Sequence, residues 1–248
     1  MFLIDEGKLF FGAAINYNDI CWIYPLKIKE VVGMGQENYN QYLSILCADI
    51  REIQKIMKKE GISDEDLFTN SFDYLMVQSM YDRTFFVKLK EAFSTFIREE
   101  VHFLYEQEKI LIGSNMDKER ALTKENFSDF QNILRAQNAL PVPEPIPENE
   151  SPMARKFRMR REQVAEVKRK QAQKSGEVIS LFDSISTLIT LNPGITLESI
   201  KDLTIYQFKN LLARAQAKYK YDLDIRMIAA GADPKKIKPK HWFGKLDF

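Results

Sequence analysis

Residues 204–231 read TIYQFKNLLARAQAKYKYDLDIRMIAAG, and this stretch decides the class of fold. Thr204 stands three residues before Gln207, the spacing at which each side chain reaches the other's backbone N–H at a helix start. Behind that capping box, Phe208, Leu212, Ala215, Tyr219 and Leu223 recur at intervals of four, three, four and four, the period of one helix face. Gly231 supplies the residue free to turn left-handed where such a helix closes. A single long helix over Ile205 to Ala230 is therefore expected.

The residues before it extend the helical pattern. Thr196 caps a short turn to Lys201, and Asn192-Pro193-Gly194 is a break. Glu177 to Leu191 reads as a helix with Val178, Phe182, Ile185 and Ile189 on one stripe. Its apolar run is interrupted by Ser180, Asp183, Ser184, Ser186, Thr187 and Thr190, and falls short of the roughly 20 residues a membrane span needs. Met153 to Lys174 reads as a helix carrying nine cations against Glu162 and Glu166, net +7. Residues 153–248 are thus expected to form a basic, all-helical domain with an aromatic tail.

Residues 141–152, PVPEPIPENESP, hold five of the nine prolines. Proline fixes φ and removes the N–H donor, so neither a helix nor a central strand crosses this segment. It is either a polyproline-II spacer of about 3 Å per residue or a strap along the surface.

Residues 1–140 are expected to form an acidic α+β domain. Lys8–Phe11 and Asp19–Tyr24 read as short strands about an Asn16-Tyr17-Asn18 turn. Gln41–Lys59 reads as one helix, with Leu43, Leu46, Ile50, Ile53 and Met57 on a face and Gly61 closing it. Ser63 heads a short acidic turn, Ser71 caps a helix over Phe72–Met80, and Arg83–Ile97 is helical. Val101–Tyr105 and Lys109–Ile112 flank Glu106-Gln107-Glu108 as a hairpin, and Thr123 caps a helix over Glu125–Ala136. The fold class is mainly α, with small β elements in the N-terminal half and a helical C-terminal half.

Charge divides along the same line. Residues 1–152 hold 16 Lys and Arg against 25 Asp and Glu, net −9; residues 153–248 hold 20 against 10, net +10. Such asymmetry fits two surfaces with different partners, or two parts that attract each other.

Catalytic parts are lacking, and no enzyme, cofactor or metal site is expected. His102 and His241 belong to no cluster of metal-ligand spacing, and Cys21 and Cys47 to no C-x-x-C pair, so the thiols read as reduced and packed. Gly33-Met34-Gly35 begins like a dinucleotide fingerprint but has Asn38 where the third glycine belongs. Nothing at Met1 to Glu6 reads as a signal peptide. An intracellular protein that binds other proteins is the expectation.

Two features are candidates for that binding. The 153–174 helix, with Arg155, Arg158, Arg161 and Arg169, is a solvated face, a dock for an acidic protein surface, a phosphate-binding element short of aromatics apart from Phe157, or a membrane-surface helix with a scattered apolar face. Trp242, Phe243 and Leu246 either fold back on the long helix or form an exposed anchor for a partner. Met76, Met80 and Met227 are core residues or an adaptable binding surface.

Both ends carry a family resemblance. Leu203-Thr204-Ile205-Tyr206-Gln207-Phe208, then Tyr221-Asp222-Leu223, Ala229-Ala230-Gly231-Ala232 and His241-Trp242-Phe243-Gly244-Lys245-Leu246, resemble the C-terminal region of tail-assembly-chaperone-like proteins of long-tailed bacteriophages, especially those of Gram-positive hosts. Lys8-Leu9-Phe10-Phe11-Gly12, Tyr24-Pro25-Leu26, Glu30, Gly33, Gly35 and Tyr39 are similar to the start of such proteins. The matching segments span about half of the chain and contain caps and aromatics, with no catalytic fingerprint. The resemblance implies a non-enzymatic factor of the host cytoplasm that binds the tape-measure protein and brings tail-tube subunits to it. Such proteins are often made as a short and a longer product by frameshifting. The proline-rich strap and the basic helix depart from the family pattern. Self-association is an open alternative; neither a membrane nor nucleic acid is the expected partner. The rival functions are a structural tail or baseplate protein and, behind it, a nucleic-acid-binding regulator.

Overall fold

A computed structural model describes residues 2–114, 120–143 and 179–244, and between the last two stretches residues 151, 153, 154, 156–158, 160, 161, 164, 167 and 171. The fold is mainly α, with two small antiparallel sheets in the N-terminal half and a helical C-terminal half. Residues 144–150 of the strap, Lys174, Glu177 and Val178 lie outside the described residues.

The chain starts on a short helix, α1 (Glu6–Phe11), where strand was expected from Lys8–Phe11. Two end signals make the difference: the Asp5 carboxylate accepts from the Gly7 N–H, and Gly12 closes the turn at φ 68°. A β-carbon at Gly12 would also lie 2.8 Å from Thr204 Cγ2, so glycine is needed there twice over. β1 (Ile15–Tyr17) and β2 (Cys21–Ile23) then pair with Ile15 opposite Ile23 and Tyr17 opposite Cys21. Asn18 and Asp19 turn the hairpin, both at positive φ, which suits the right-handed twist of two strands.

α2 (Ile28–Met34) leads through Gly35 into α3 (Gln36–Leu46). The single helix expected over Gln41–Lys59 is in fact two, because α4 (Ile50–Lys59) starts afresh at Asp49, whose carboxylate accepts from the Arg51 N–H. Side chains from a distant helix take the carbonyls that the break frees: Gln131 Nε2 donates to the Leu46 carbonyl at 2.7 Å, and the Arg135 guanidinium donates to that of Cys47. After a 3₁₀ turn at Asp64–Asp66 come α5 (Ser71–Tyr81) and α6 (Arg83–Ile97). Asn70, one residue before the expected Ser71, caps α5, and Asp82 caps α6. β3 (Val101–Leu104), β4 (Lys109–Ile112) and β5 (Ala121–Leu122) form the second sheet in that order, with Val101 opposite Ile112. α7 (Phe127–Gln137) follows; Asn126 stands at its cap, and its side-chain oxygen accepts from the N–H of Thr123, the residue expected to cap.

These elements enclose an aromatic core. Phe72 meets Phe127 at 5.4 Å between ring centroids, Phe127 meets Phe130 at 5.6 Å, and Phe130 meets Phe93 at 5.7 Å, all four fully buried.

The C-terminal helices share this core. α8 (Leu181–Leu191) starts on a Ser180–Asp183 capping box, α9 (Leu197–Ile200) is one turn capped by Thr196, and α10 (Ile205–Ala229) starts on the expected Thr204–Gln207 box. Ile185, Leu188, Ile200, Ile205 and Phe208 are buried in one cluster with residues of α2, α3 and α7. Backbone bonds join the two parts: Ile28 N–H to the Leu203 carbonyl, Lys29 N–H to that of Lys201, and Ile205 N–H to that of Leu26. Lys209 Nζ donates to the Asn138 carbonyl at 2.9 Å, just past the end of α7, and burial pushes this ammonium below its ordinary pKa. The division at 141–152 is one of composition and charge; packing runs across it.

Candidate interaction surface

α10 leaves the body of the protein about halfway along its length. Successive residues turn by about 100°, so Phe208, Leu212, Ala215, Tyr219 and Leu223 stay within one face. On that face Phe208 is buried, Leu212 and Ala215 pack on the core, and Tyr219 and Leu223 are 59% and 45% exposed. Met227, one turn further and at the edge of the same stripe, is also exposed. The core-facing stripe thus continues past the point where the core ends.

α8 ends against this exit point. Leu191, Asn192 and Pro193 from its C-terminal end, with Ala215, Lys218, Tyr219 and Asp222 from α10, line a pocket of about 260 Å³. Beyond the pocket, Leu223 and Met227 are 45% and 44% exposed.

The opposite face of the projecting helix is covered by the tail. After α11 (Pro234–Ile237) the chain returns along α10, and His241 stacks on Tyr221 at 4.8 Å between centroids. Phe243 lies 4.1 Å from His241, and Trp242 meets Phe243 edge-on at 5.8 Å. Arg214 Nη1 donates to the carbonyls of Trp242 and Gly244. Of the two expectations for these aromatics, folding back on the long helix is the one observed. It leaves Trp242 and Phe243 at the surface, 37% and 64% exposed. Leu246 lies outside the described residues.

Of the basic-helix residues, Arg155 and Arg169 lie outside the described set, while Arg158 and Arg161 sit on helical backbone with Arg161 exposed. Met153, Phe157, Val164 and Val167 in that segment are exposed as well. Met76 is buried and Met80 exposed, so the methionines divide between core and surface.

A second cleft, of about 670 Å³, lies between the α3–α4 corner, the start of α5 and α7. Val142 and Pro143 line its edge, and Arg135 Nη1 donates to the Pro141 carbonyl at 3.1 Å. The described start of the strap therefore lies along the surface. Arg135, Gln131 and Lys209 join distant elements through backbone carbonyls, a role that no local motif marks. For Gln131 and Arg135 the sequence carries one signal, a pair of long polar side chains on the otherwise apolar face of Phe127, Phe130 and Leu134.

Both cysteines are buried, and the two histidines are far apart in the sequence. Among the described residues no three His, Cys, Asp or Glu side chains are placed to hold a metal ion. His102 lies on β3 with Nε2 3.8 Å from a Glu100 carboxylate oxygen, far from any other histidine in the sequence. Burial pushes both the Cys21 and the Cys47 thiol up to about 12, so neither offers a thiolate at neutral pH. Gly33 falls inside α2 and Gly35 at its end, so the Gly33–Gly35 pair makes no phosphate loop after a strand. No helix of the described residues is long and apolar enough to cross a membrane.

Residues 168–247 match the family model of the second domain of YomV, which is phage-associated. The matched stretch takes in α8, α9, the projecting α10 and the returning tail. It points to a phage protein. No curated protein and no solved structure matches the chain.

Proposed function

We propose that this chain is a non-enzymatic phage assembly factor, a tail assembly chaperone of the host cytoplasm that binds the tape-measure protein and tail-tube subunits. The observation that carries this reading is the apolar stripe of α10, which runs from Phe208 in the core to Leu223 and Met227 in solvent. A protein that only folds has no use for a core-type stripe continued beyond its core. One that holds a partner's apolar helix needs such a surface, with adaptable side chains such as Met227 and aromatic anchors such as Trp242 and Phe243 beside it. The match to a phage-associated family over the same residues supports the setting.

The test is capture from infected cells. Tagged full-length protein should co-purify with the tape-measure protein and tail-tube subunits, and Leu223→Asp, which changes an exposed residue, should lose them while melting like the parent. Recovery of no virion protein by the parent would refute the proposal. The rival is a structural virion component, since a tail or baseplate subunit would use the same stripe permanently. Mass spectrometry of purified particles separates the two: stoichiometric presence in the mature particle supports the rival, and absence supports the chaperone.

A further inference from the structure

Resting on the protein-binding reading above, we infer that the projecting part of α10 takes one partner helix of a particular chemistry: an amphipathic helix whose apolar stripe is flanked by carboxylates. The surface has room for one helix. The side of α10 opposite the stripe is occupied by the tail through Tyr221, Arg214 and His241, and α8 occupies the stripe as far as Leu191. Only the stretch from Ala215 to Met227 is open, and at about 1.5 Å per residue it is roughly 18 Å long, or three to four turns. Packed helices need a facing stripe of apolar side chains in grooves of this kind, and the pocket between Pro193, Ala215 and Tyr219 is the place for the first of them.

Charge then selects among amphipathic helices. Lys218 and Lys220 stand exposed on either side of the stripe and Arg226 stands exposed within it near its outer end, against one exposed carboxylate at its edge, Asp222. None of these three cations has an ion-pair partner among the described residues, whereas Lys27, Lys29, Lys55, Lys58 and Lys88 of the body each face a carboxylate. Lys235, Lys236, Lys238 and Lys240, on α11 and the returning chain, add further exposed positive charge to the same arm. A basic-flanked partner meets like charges on both edges of the groove, while an acidic-flanked one completes them. The contact length falls below that of a standard protein interface and puts the groove among the small, transient ones. That suits a protein that must release what it holds.

The experiment uses the full chain and two labelled peptides of about 20 residues that share one Leu and Ala stripe, flanked by Glu in one and by Lys in the other. Fluorescence anisotropy at about 50 and 500 mM salt reads their binding, with an oligothymidylate of similar charge as a third probe. The Glu-flanked peptide should bind at least about tenfold more tightly at low salt, with the preference shrinking at high salt. Charge reversal by Lys218→Glu, Lys220→Glu and Arg226→Glu should invert the preference, and Leu223→Asp should abolish both. Because these positions are exposed, unchanged helical circular dichroism and melting verify the fold of each variant. Equal binding of the two peptides overturns the charge inference and leaves the protein-binding reading standing. Failure of both peptides, or oligothymidylate binding more tightly than either and lost in the reversal variant, overturns the two together. Self-association of the free chain that Leu223→Asp removes assigns the groove to a second copy and overturns the inference as well.

Discussion

Replacing Phe208 by Ala tests whether the two halves of this chain share one core. The side chain is 2% exposed, one turn into α10, and sits in the cluster that also holds residues of α2, α3 and α7. Truncating a buried Phe removes its transfer free energy and leaves a cavity, at a cost of about 3–5 kcal/mol. A chain of this length loses about 2–4 °C of Tm per kcal/mol, so the midpoint should fall by roughly 6–20 °C. The magnitude alone does not decide the matter; which part melts does. Trp22 lies on β2 and Trp242 on the tail, and they are the two tryptophans of the chain. In a Trp242→Phe background, Trp22 fluorescence reports on the N-terminal part alone. If one core spans both halves, Phe208→Ala lowers the Trp22 midpoint and the helical circular-dichroism midpoint together. A Trp22 transition unmoved from the parent, with a separate earlier loss of helix, would show two independent units and refute the reasoning from the shared cluster.

Other perturbations follow from the same contacts. Asp49→Ala should cost about 0.5–2 kcal/mol at neutral pH through loss of the α4 cap. Burial acts against ionisation of Asp49, but its bonds from Arg51 outweigh it and hold its carboxyl below the usual range. The stabilisation is therefore complete above the usual carboxylate range and lost as the pH falls from there through the lower folded-state value, so parent and variant should converge in acid urea melts. Gly12→Ala, at φ 68° and against Thr204 Cγ2, should destabilise by more than about 1 kcal/mol in a denaturant titration, whereas Gly33→Ala, with open space around it, should not. Changing Arg155, Arg158, Arg161 and Arg169 together to Gln should leave the protein folded and weaken capture of an acidic partner at low salt only; capture unchanged at both low and high salt would make that segment an ordinary solvated face.

Local chemistry was readable where it acts within a few residues. The Thr204–Gln207 box, the Asn192-Pro193-Gly194 break and the hairpin of β3 and β4 all stand where their residues put them. The break between α3 and α4 was not readable, because Leu43, Leu46, Ile50, Ile53 and Met57 keep helical spacing straight through it. What stabilises the break is Gln131 and Arg135, more than 80 residues away in sequence. Lys8–Phe11 has the aromatic content of a strand, but the Asp5 and Gly12 end signals make it a helix. The candidate surface was half readable: the period showed the stripe of α10, but the same period continues from Ala215 to Leu223 while burial stops. Where a body ends depends on what packs beside the helix, which no period encodes.

The charge division and the packing give opposite answers about how the halves relate, and the ion pairs explain why. Described residues of the two halves are joined by ion pairs of Lys27 and Lys29 with Asp202. There the acidic half supplies the cations and the basic half the carboxylate, the reverse of their net charges. These groups are about half exposed, and such pairs contribute little. Attachment comes instead from buried side chains such as Leu188 and Phe208 and from backbone bonds at residues 26–29 and 201–205, none of which depends on net charge. Among the described residues, the surplus of −9 and +10 is therefore not what joins the two halves. Among the described residues, Lys218, Lys220 and Arg226 of the projecting arm and Lys156, Arg160 and Arg161 of the segment 153–174 carry exposed positive charge. A fold that keeps its charge asymmetry out of its own core leaves that asymmetry free to select a partner.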